Sequence, residues 1–499
     1  TRLAAPHYLL REVPALAGEG KKHRCHPIVG PRTGAREPPA GQIDVLIGRE
    51  IETKAMRSAW RDAVTRGEQR TLLITGSVGV GKTRLVDDFL AYHCSESLIV
   101  AAAATPHRAD TPYAVVADLL RGIADLSSRQ RPHSRSRLLA AIAEILRANT
   151  SDGADILEAF KLVVDPGAAP RVESWIEVAR ARVYRGVRAL LERVAGRRPL
   201  VMVIEDLHWA DSASREIVRT LVESPSHATG PLLLLITLRE EEGIEAEALL
   251  PETHASLIHL NEFDEGARQR LIVNLLGELG TDRLVAEIER RAGGSPLFIH
   301  ELCRAIREIG ESEPVEIPET VHDVIASRVD GLPAPLKVVL QHAAVIGPSF
   351  RESILARLIT RNPARPLAEL RNRGFLAPTV NITVPYHSTA GVSDKFERQW
   401  GFRHVVVQEV IYGSLDAADR DDIHRRVSEI MTRRAKRQTN DPPAEVARHL
   451  ELGGQGARAS QYYLRAANDA ATAYANREAA ELFDKALRLA PGDDADLQY

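Results

Sequence analysis

From Val45 onward the chain alternates two hydrophobic patterns. Residues 71–75 (TLLIT), 98–100 with the alanines that follow, 200–204, 232–236 and 257–260 are continuous apolar runs of strand length. Between them lie longer stretches in which apolar positions recur every three or four residues. Strands apolar on both faces and separated by helices predict a parallel sheet covered on both sides. The block 113–195 reads as mostly helical between the second and third strands. After about 262 the strand signal fades. An amphipathic helix then carries Val321, Val324, Ile325 and Val329, stops at Leu332-Pro333, and gives way to another through Val345. Charged helices follow at 403–436. Pro442-Pro443 marks a boundary, and Ala-rich helices continue to Leu489.

This pattern divides the chain into an α/β core at 44–262, which the motif described below makes a P-loop core, a helical segment at 263–314, which the family resemblance below makes a lid, a further unit at 315–436 and a helical array from 440 to 499. Residues 1–43, with six prolines and little periodicity, read as a linker or the tail of an upstream domain. The first residues are neither Met nor a signal peptide, and the chain stops inside a helical pattern at Tyr499, so it reads as a fragment of a longer protein.

Composition narrows the picture. The chain has 499 residues, 44% hydrophobic and 27% charged, with 65 basic against 68 acidic side chains. That is globular composition, and about three domains is the prior for the length. Near-neutral charge gives no case for a nucleic-acid or membrane-surface protein. The dense basic patches, 131–137 (RPHSRSR) and 433–437 (RRAKR), lack interleaved aromatics and read as solvated helix ends. Three scattered cysteines, Cys25, Cys94 and Cys303, exclude a disulfide scaffold or zinc cluster and fit a reducing cytoplasm. No apolar run approaches the ~18–20 residues of a membrane span.

The chemistry concentrates after the first strand. Gly76-Ser77-Val78-Gly79-Val80-Gly81-Lys82-Thr83 has the form G-x-x-x-x-G-K-[ST] and opens a helix with Leu85, Val86, Phe89 and Leu90. Glycines let the backbone wrap phosphates with its N–H groups inward, and the helix start adds a positive dipole end. Lys82 is placed to bridge terminal phosphates and the Thr83 hydroxyl to ligate Mg²⁺. Gly76 through Thr83, with Arg84, form the expected phosphate contact, and ATP or ADP with Mg²⁺ the expected ligand.

The strand 200–204 runs into Glu205-Asp206-Leu207-His208-Trp209-Ala210-Asp211. Carboxylates at the carboxyl end of a parallel strand lie where such sheets bind ligands. One can hold Mg²⁺ and its neighbour orient or deprotonate the attacking water; position suggests Glu205 for the metal and Asp206 for the base, and the sequence alone leaves that division open. His208 and Trp209 read as hydrogen-bonding and packing residues. Arg239, after strand 232–236, is a candidate contact to the γ-phosphate.

Together, Ile47-Gly48-Arg49-Glu50, GSVGVGKT, VIEDLHWAD, LLLITLR and Gly294-Ser295-Pro296-Leu297-Phe298 resemble the signal-transduction ATPases with numerous domains (STAND). The subgroup they resemble is the ATPase module of large LuxR-type activators and class III adenylyl cyclases. The resemblance spans roughly 44–435. It departs where Glu205 replaces the commoner Asp and Ser212 a common Pro, which puts hydrolytic competence in question. It implies that Gly48 and Arg49 sit near adenine and ribose, Gly294 and Pro296 in a lid against the base, and Arg239 as first sensor. It also implies a winged-helix domain at 315–436, acting as a hinge. Phe402-Arg403-His404 resembles the segment whose histidine meets the ADP β-phosphate in plant and animal relatives. That makes His404 a candidate, with a structural histidine the alternative.

The segments 458–467 and 478–487 resemble each other. Ala479, Phe483, Ala486, Leu487 and Pro491 look like the second helix of a tetratricopeptide repeat, although the offset of 20 residues is not that repeat's. Gly20–Gly30 (GKKHRCHPIVG) faintly resembles the exit of a class III cyclase domain. The expected protein is therefore a slowly hydrolysing ATPase switch of a multidomain bacterial regulator. It would meet protein partners, or itself, through the repeat-like region and would not touch nucleic acid here. The alternatives are the regulatory part of a cyclase or of a LuxR-type activator, and a non-hydrolysing scaffold.

Overall fold

The computed structural model describes residues 46–94, 97–127, 135–146, 151–164, 176–225, 230–239, 255–309, 318–360, 362–378, 398–435 and 441–490. It also gives the backbone of two short antiparallel strands, Tyr8–Leu10 and Ile28–Pro31, inside the stretch read as linker. The rest of 1–43, the start of the basic run 131–137 and the end of 433–437 lie outside the described residues.

Five strands build the core sheet: β1 (Gln69–Gly76), β2 (Leu98–Ala103), β3 (Leu200–Glu205), β4 (Leu232–Thr237) and β5 (Ala255–Leu260). Their order is β2-β3-β4-β1-β5 and every pairing is parallel. This is the P-loop fold that the pattern of runs predicted.

The continuous apolar runs follow from burial on both faces. Leu72, Ile74, Val201, Val203, Leu233 and Leu235 turn to one face, where Met56, Val86 and Phe89 pack from helices Glu50–Arg66 and Lys82–His93. Leu73, Met202, Ile204, Leu234 and Ile236 turn to the other, against Val116 and Leu120 of helix Ala114–Ser127 and the helices beyond it. Strand β5 is an edge, and its Ser256, Leu257 and His259 are exposed. Register puts Ile74 beside Thr237 and Ile204 beside Ile236, so the carboxyl ends of β1, β3 and β4 form one rim.

Three helices follow, Glu265–Leu276, Asp282–Ala292 and Pro296–Ile309, closing on Ile272, Ile288, Ile299 and Leu302. Asp264 and Thr281 start the first two by accepting from Ala267 N (2.7 Å) and Leu284 N (3.4 Å). The stretch 318–435 is not purely helical: Ser349–Arg351, Leu376–Pro378 and Gln399–Phe402 form a three-stranded antiparallel sheet among six helices, with Gln399–Phe402 in the middle. The helices Pro443–Leu452, Gly456–Thr472 and Asn476–Leu489 come last, and the two similar decapeptides fall on the second and third. Among the described residues no helix is long and apolar enough to cross a membrane.

Candidate functional site

The loop 76–81 leaves β1 at the rim, beside the end of β4. Gly76 has φ +146°, and a Cβ there would stand 2.6 Å from the Leu260 carbonyl oxygen. At Gly79 (φ +79°) a Cβ would meet the Leu297 Cβ at 2.8 Å, while the Gly79 carbonyl accepts the Leu297 N–H at 3.2 Å. Glycine is needed because the lid helix Pro296–Ile309 begins directly on this turn. Lys82 opens helix Lys82–His93, is 8% exposed, and donates from Nζ to the carbonyls of Gly76 (2.7 Å) and Ser77 (2.9 Å). The ammonium is thus held inside the loop at the start of a helix, where an anion is favoured.

Thr83 faces the neighbouring acid: its Oγ1 donates to Glu205 Oε2 at 3.2 Å. A hydroxyl and a carboxylate this close are hard oxygen donors of the kind Mg²⁺ takes alongside water and phosphate. Asp206, the next residue, has φ +53°, unusual for a non-glycine, and its N–H is held by Thr237 Oγ1 at 2.9 Å. Burial, and then the Glu205 charge, push the Asp206 carboxyl up to about 6, while Arg239 and Lys82 pull it down.

The turn Leu207–Trp209 follows. His208 accepts the Arg239 N–H at Nδ1 (3.4 Å), and the Arg239 guanidinium lies 4.1 Å from the centroid of the Trp209 ring. Burial, with Arg239 and Lys82 adding to it, lowers His208 to about 4 and keeps it neutral at pH 7. Asp211 ends the motif as a cap. It accepts from Ser214 N (2.8 Å) at the start of helix Ser212–Glu223, and from Tyr113 N (2.8 Å) and Ala114 N (3.0 Å) at the start of helix Ala114–Ser127.

Arg49 is 5% exposed and its donors are committed: Nη2 to the carbonyls of Val80 (2.9 Å) and Asn261 (2.7 Å), Nη1 to Glu52 (3.0 Å), with Phe263 beneath it at 4.6 Å. It ties the phosphate loop to the end of β5. Gly48 lies against Ala267 and Phe263, and the Gly294 carbonyl accepts the Phe263 N–H at 2.9 Å. Pro296 begins the helix that meets Gly79. Loop 76–81, Lys82, Thr83, Glu205, Asp206, Arg239 and the Gly48–Arg49 and Gly294–Pro296 segments are therefore linked through one set of contacts.

His404 is placed by its own neighbours. It precedes helix Val405–Gly413 and feels the charges of Glu301, His300 and Arg304 on the lid helix. Burial lowers it to about 4, with Glu301 opposing. Thr237 and Asn261 contribute through contacts from other strands, which no sequence motif announces. Asp211 did leave a signal, an Asp three residues before Ser214 at a helix start.

Residues 45–236 match the profile of the AAA ATPase domain, and residues 264–318 that of a domain of unknown function. An uncharacterized protein of Rhizobium meliloti (strain 1021) is 24% identical over 463 residues, covering 89% of this chain and 42% of its own length. The chain thus spans less than half of that curated relative. The Aeropyrum pernix Orc1 protein, solved in complex with DNA, shares 15% identity over 74% of this chain and 94% of its own, with a TM-score of 0.33. Cdc6p from Pyrobaculum aerophilum shares 12% over 76% and 98%, TM-score 0.31. The Thermotoga maritima RuvB Holliday junction branch migration motor shares 16% over 69% and 93%, TM-score 0.29.

Proposed function

We propose that this chain is an ATP-binding, slowly hydrolysing signalling switch of the STAND kind within a larger bacterial regulator. The observation that carries the reading is the meeting of Lys82, Thr83 and Glu205 on a glycine loop whose Gly79 carbonyl is bonded by the lid. The loop N–H groups and Lys82 would hold the β- and γ-phosphates. Thr83 and Glu205 would hold Mg²⁺, which when bound neutralises phosphate charge. Asp206 would orient the water attacking in line on the γ-phosphate, with Arg239 reading that phosphate. Gly48 and Arg49 on one side and Gly294 and Pro296 on the other would border the base, and His404 would respond to the nucleotide through the lid.

The AAA ATPase match over 45–236 supports the nucleotide part of this reading. The signalling part is supported by the sheet-bearing unit after the lid and by C-terminal helices that return to the core. In this reading 315–436 is the winged-helix-like unit and 440–499 the start of a tetratricopeptide-like array for protein partners or self-assembly.

Phosphate release by wild type, Lys82→Ala and Asp206→Asn tests it. Slow turnover in wild type that falls to background in both variants is expected; equal background rates in all three would overturn hydrolysis. Chromatography of the denatured supernatant is expected to show bound ADP in wild type and a loss of it in Lys82→Ala.

A further inference from the structure

The Arg239 guanidinium rests on an aromatic face. Its Cζ is 4.1 Å from the Trp209 ring centroid, and its backbone N–H is held by His208 Nδ1 at 3.4 Å. The His208 and Trp209 rings lie 4.6 Å apart, tilted by 49°. The turn after the acid pair therefore grips the arginine of the neighbouring strand at two points. A guanidinium whose central carbon sits over a ring spends no hydrogen bond on that contact and keeps N–H donors for an anion. Among the described residues, none of those side-chain donors has a hydrogen-bond partner. Arg239 and Lys82 are also the two cations whose charges act on Asp206.

We propose that Trp209, with His208, is a positioning residue: it holds Arg239 in the orientation that distinguishes a nucleoside triphosphate from a diphosphate. This rests on the ATPase reading above and adds the device that sets its specificity for the γ-phosphate. The indole supplies the attraction and a flat seat, so the long Arg side chain is ordered before the phosphate arrives. Ordering in advance removes an entropic cost from the triphosphate complex alone.

Competition against a fluorescent ADP analogue, using ADP and a non-hydrolysable ATP analogue, tests this. Trp209→Leu keeps bulk without the aromatic face, and Trp209→Phe keeps the face. The ATP-over-ADP preference is expected to fall roughly two- to thirty-fold in Trp209→Leu, the factor such a contact amounts to. Trp209→Phe should recover most of it, with ADP affinity unchanged throughout. Arg239→Ala should lose the preference by itself, and adding Trp209→Leu should then cost nothing more, the signature of two residues acting as one.

A loss of ADP affinity in Trp209→Leu, or an equal further loss in the Arg239→Ala background, overturns the proposal by making Trp209 a packing residue. So does an Arg239→Ala variant with unchanged preference, which leaves the P-loop reading standing. Wild type that binds neither nucleotide overturns both.

Discussion

Asp211 shows how one side chain in a motif serves the frame of a site rather than its chemistry. It is 2% exposed and accepts three buried backbone N–H groups from two helices. Burial, opposed by those hydrogen bonds, lifts its carboxyl to about 6. Removing it orphans donors that water does not reach, at roughly 1–3 kcal/mol for such a group. Asp211→Ala is therefore expected to cost about 2–4 kcal/mol in urea unfolding, and Asp211→Asn distinctly less, since one acceptor oxygen remains. Equal midpoints for the alanine variant and wild type would refute the double cap. Lys82 makes the complementary point. The chain uses only nine lysines among its 65 basic residues, and one stands in the phosphate loop, where a compact ammonium fits between two loop carbonyls.

At the scale of elements, legibility followed length and two-sided burial. Four of the five core strands announced themselves because neighbours such as Leu72 and Leu73, or Val201 and Met202, are buried on opposite faces, whereas the edge strand β5 keeps Ser256 and His259 exposed. The strands Ser349–Arg351, Leu376–Pro378 and Gln399–Phe402 are three or four residues long, too short to show a period of two, and the sequence reading passed over them. The join between lid and following unit was equally silent. It is made by Arg328, which pairs with Glu301 through Nη1, with Glu308 through Nε (3.0 Å) and Nη2 (2.9 Å), with the Arg373 carbonyl (2.8 Å), and through its face with Phe375 (4.5 Å). The Arg328 and Glu301 side chains are 2% and 1% exposed. Breaking such a pair strands a buried charge, so Arg328→Ala is expected to lower stability by about 3–5 kcal/mol. Joint replacement by Arg328→Met and Glu301→Leu should recover part of that loss in the same urea titration; no recovery would mean that the charge left behind was not the cost.

Over the whole molecule the chain closes on itself. Glu478 accepts the Ser212 N–H (2.5 Å), Lys485 meets Asp110 (2.5 Å), and Arg180 donates to the Tyr474 carbonyl (3.0 Å), so the last helix sits beside the turn that follows the acid pair. None of these contacts was legible, because each joins residues more than 250 positions apart and follows no spacing rule. A second seam joins helix Ala417–Ala435 to helix Pro443–Leu452 through imidazoles. His424 Nδ1 and His449 Nδ1 are 2.8 Å apart, and Tyr412 Oη lies 3.0 Å from His424 Nε2. One Nδ1 must donate and the other accept, so a single proton lies between them and the two rings are never both charged while the bond lasts. Burial first, then Arg448 and Arg420, lowers His424 to about 4; burial, Arg448 and Arg108 lower His107, in the turn after β2, to about 3. His449 is held well below its ordinary value by burial, His424, Arg448 and His107, and the Ile346 carbonyl opposes them. The unfolded chain takes up these protons near the usual pH of about 6.5, whereas the folded chain refuses them until about 4 or lower. Stability supplied by the neutral rings is therefore present above pH 6.5 and lost as pH falls from there toward 4, by about 1.4 kcal/mol for each unit of difference at each ring. His424→Gln keeps a hydrogen-bonding side chain and removes one titration, so its melting temperature should fall less steeply than that of wild type between pH 6.5 and 4. Parallel slopes for the two proteins would show that the seam does not titrate with folding.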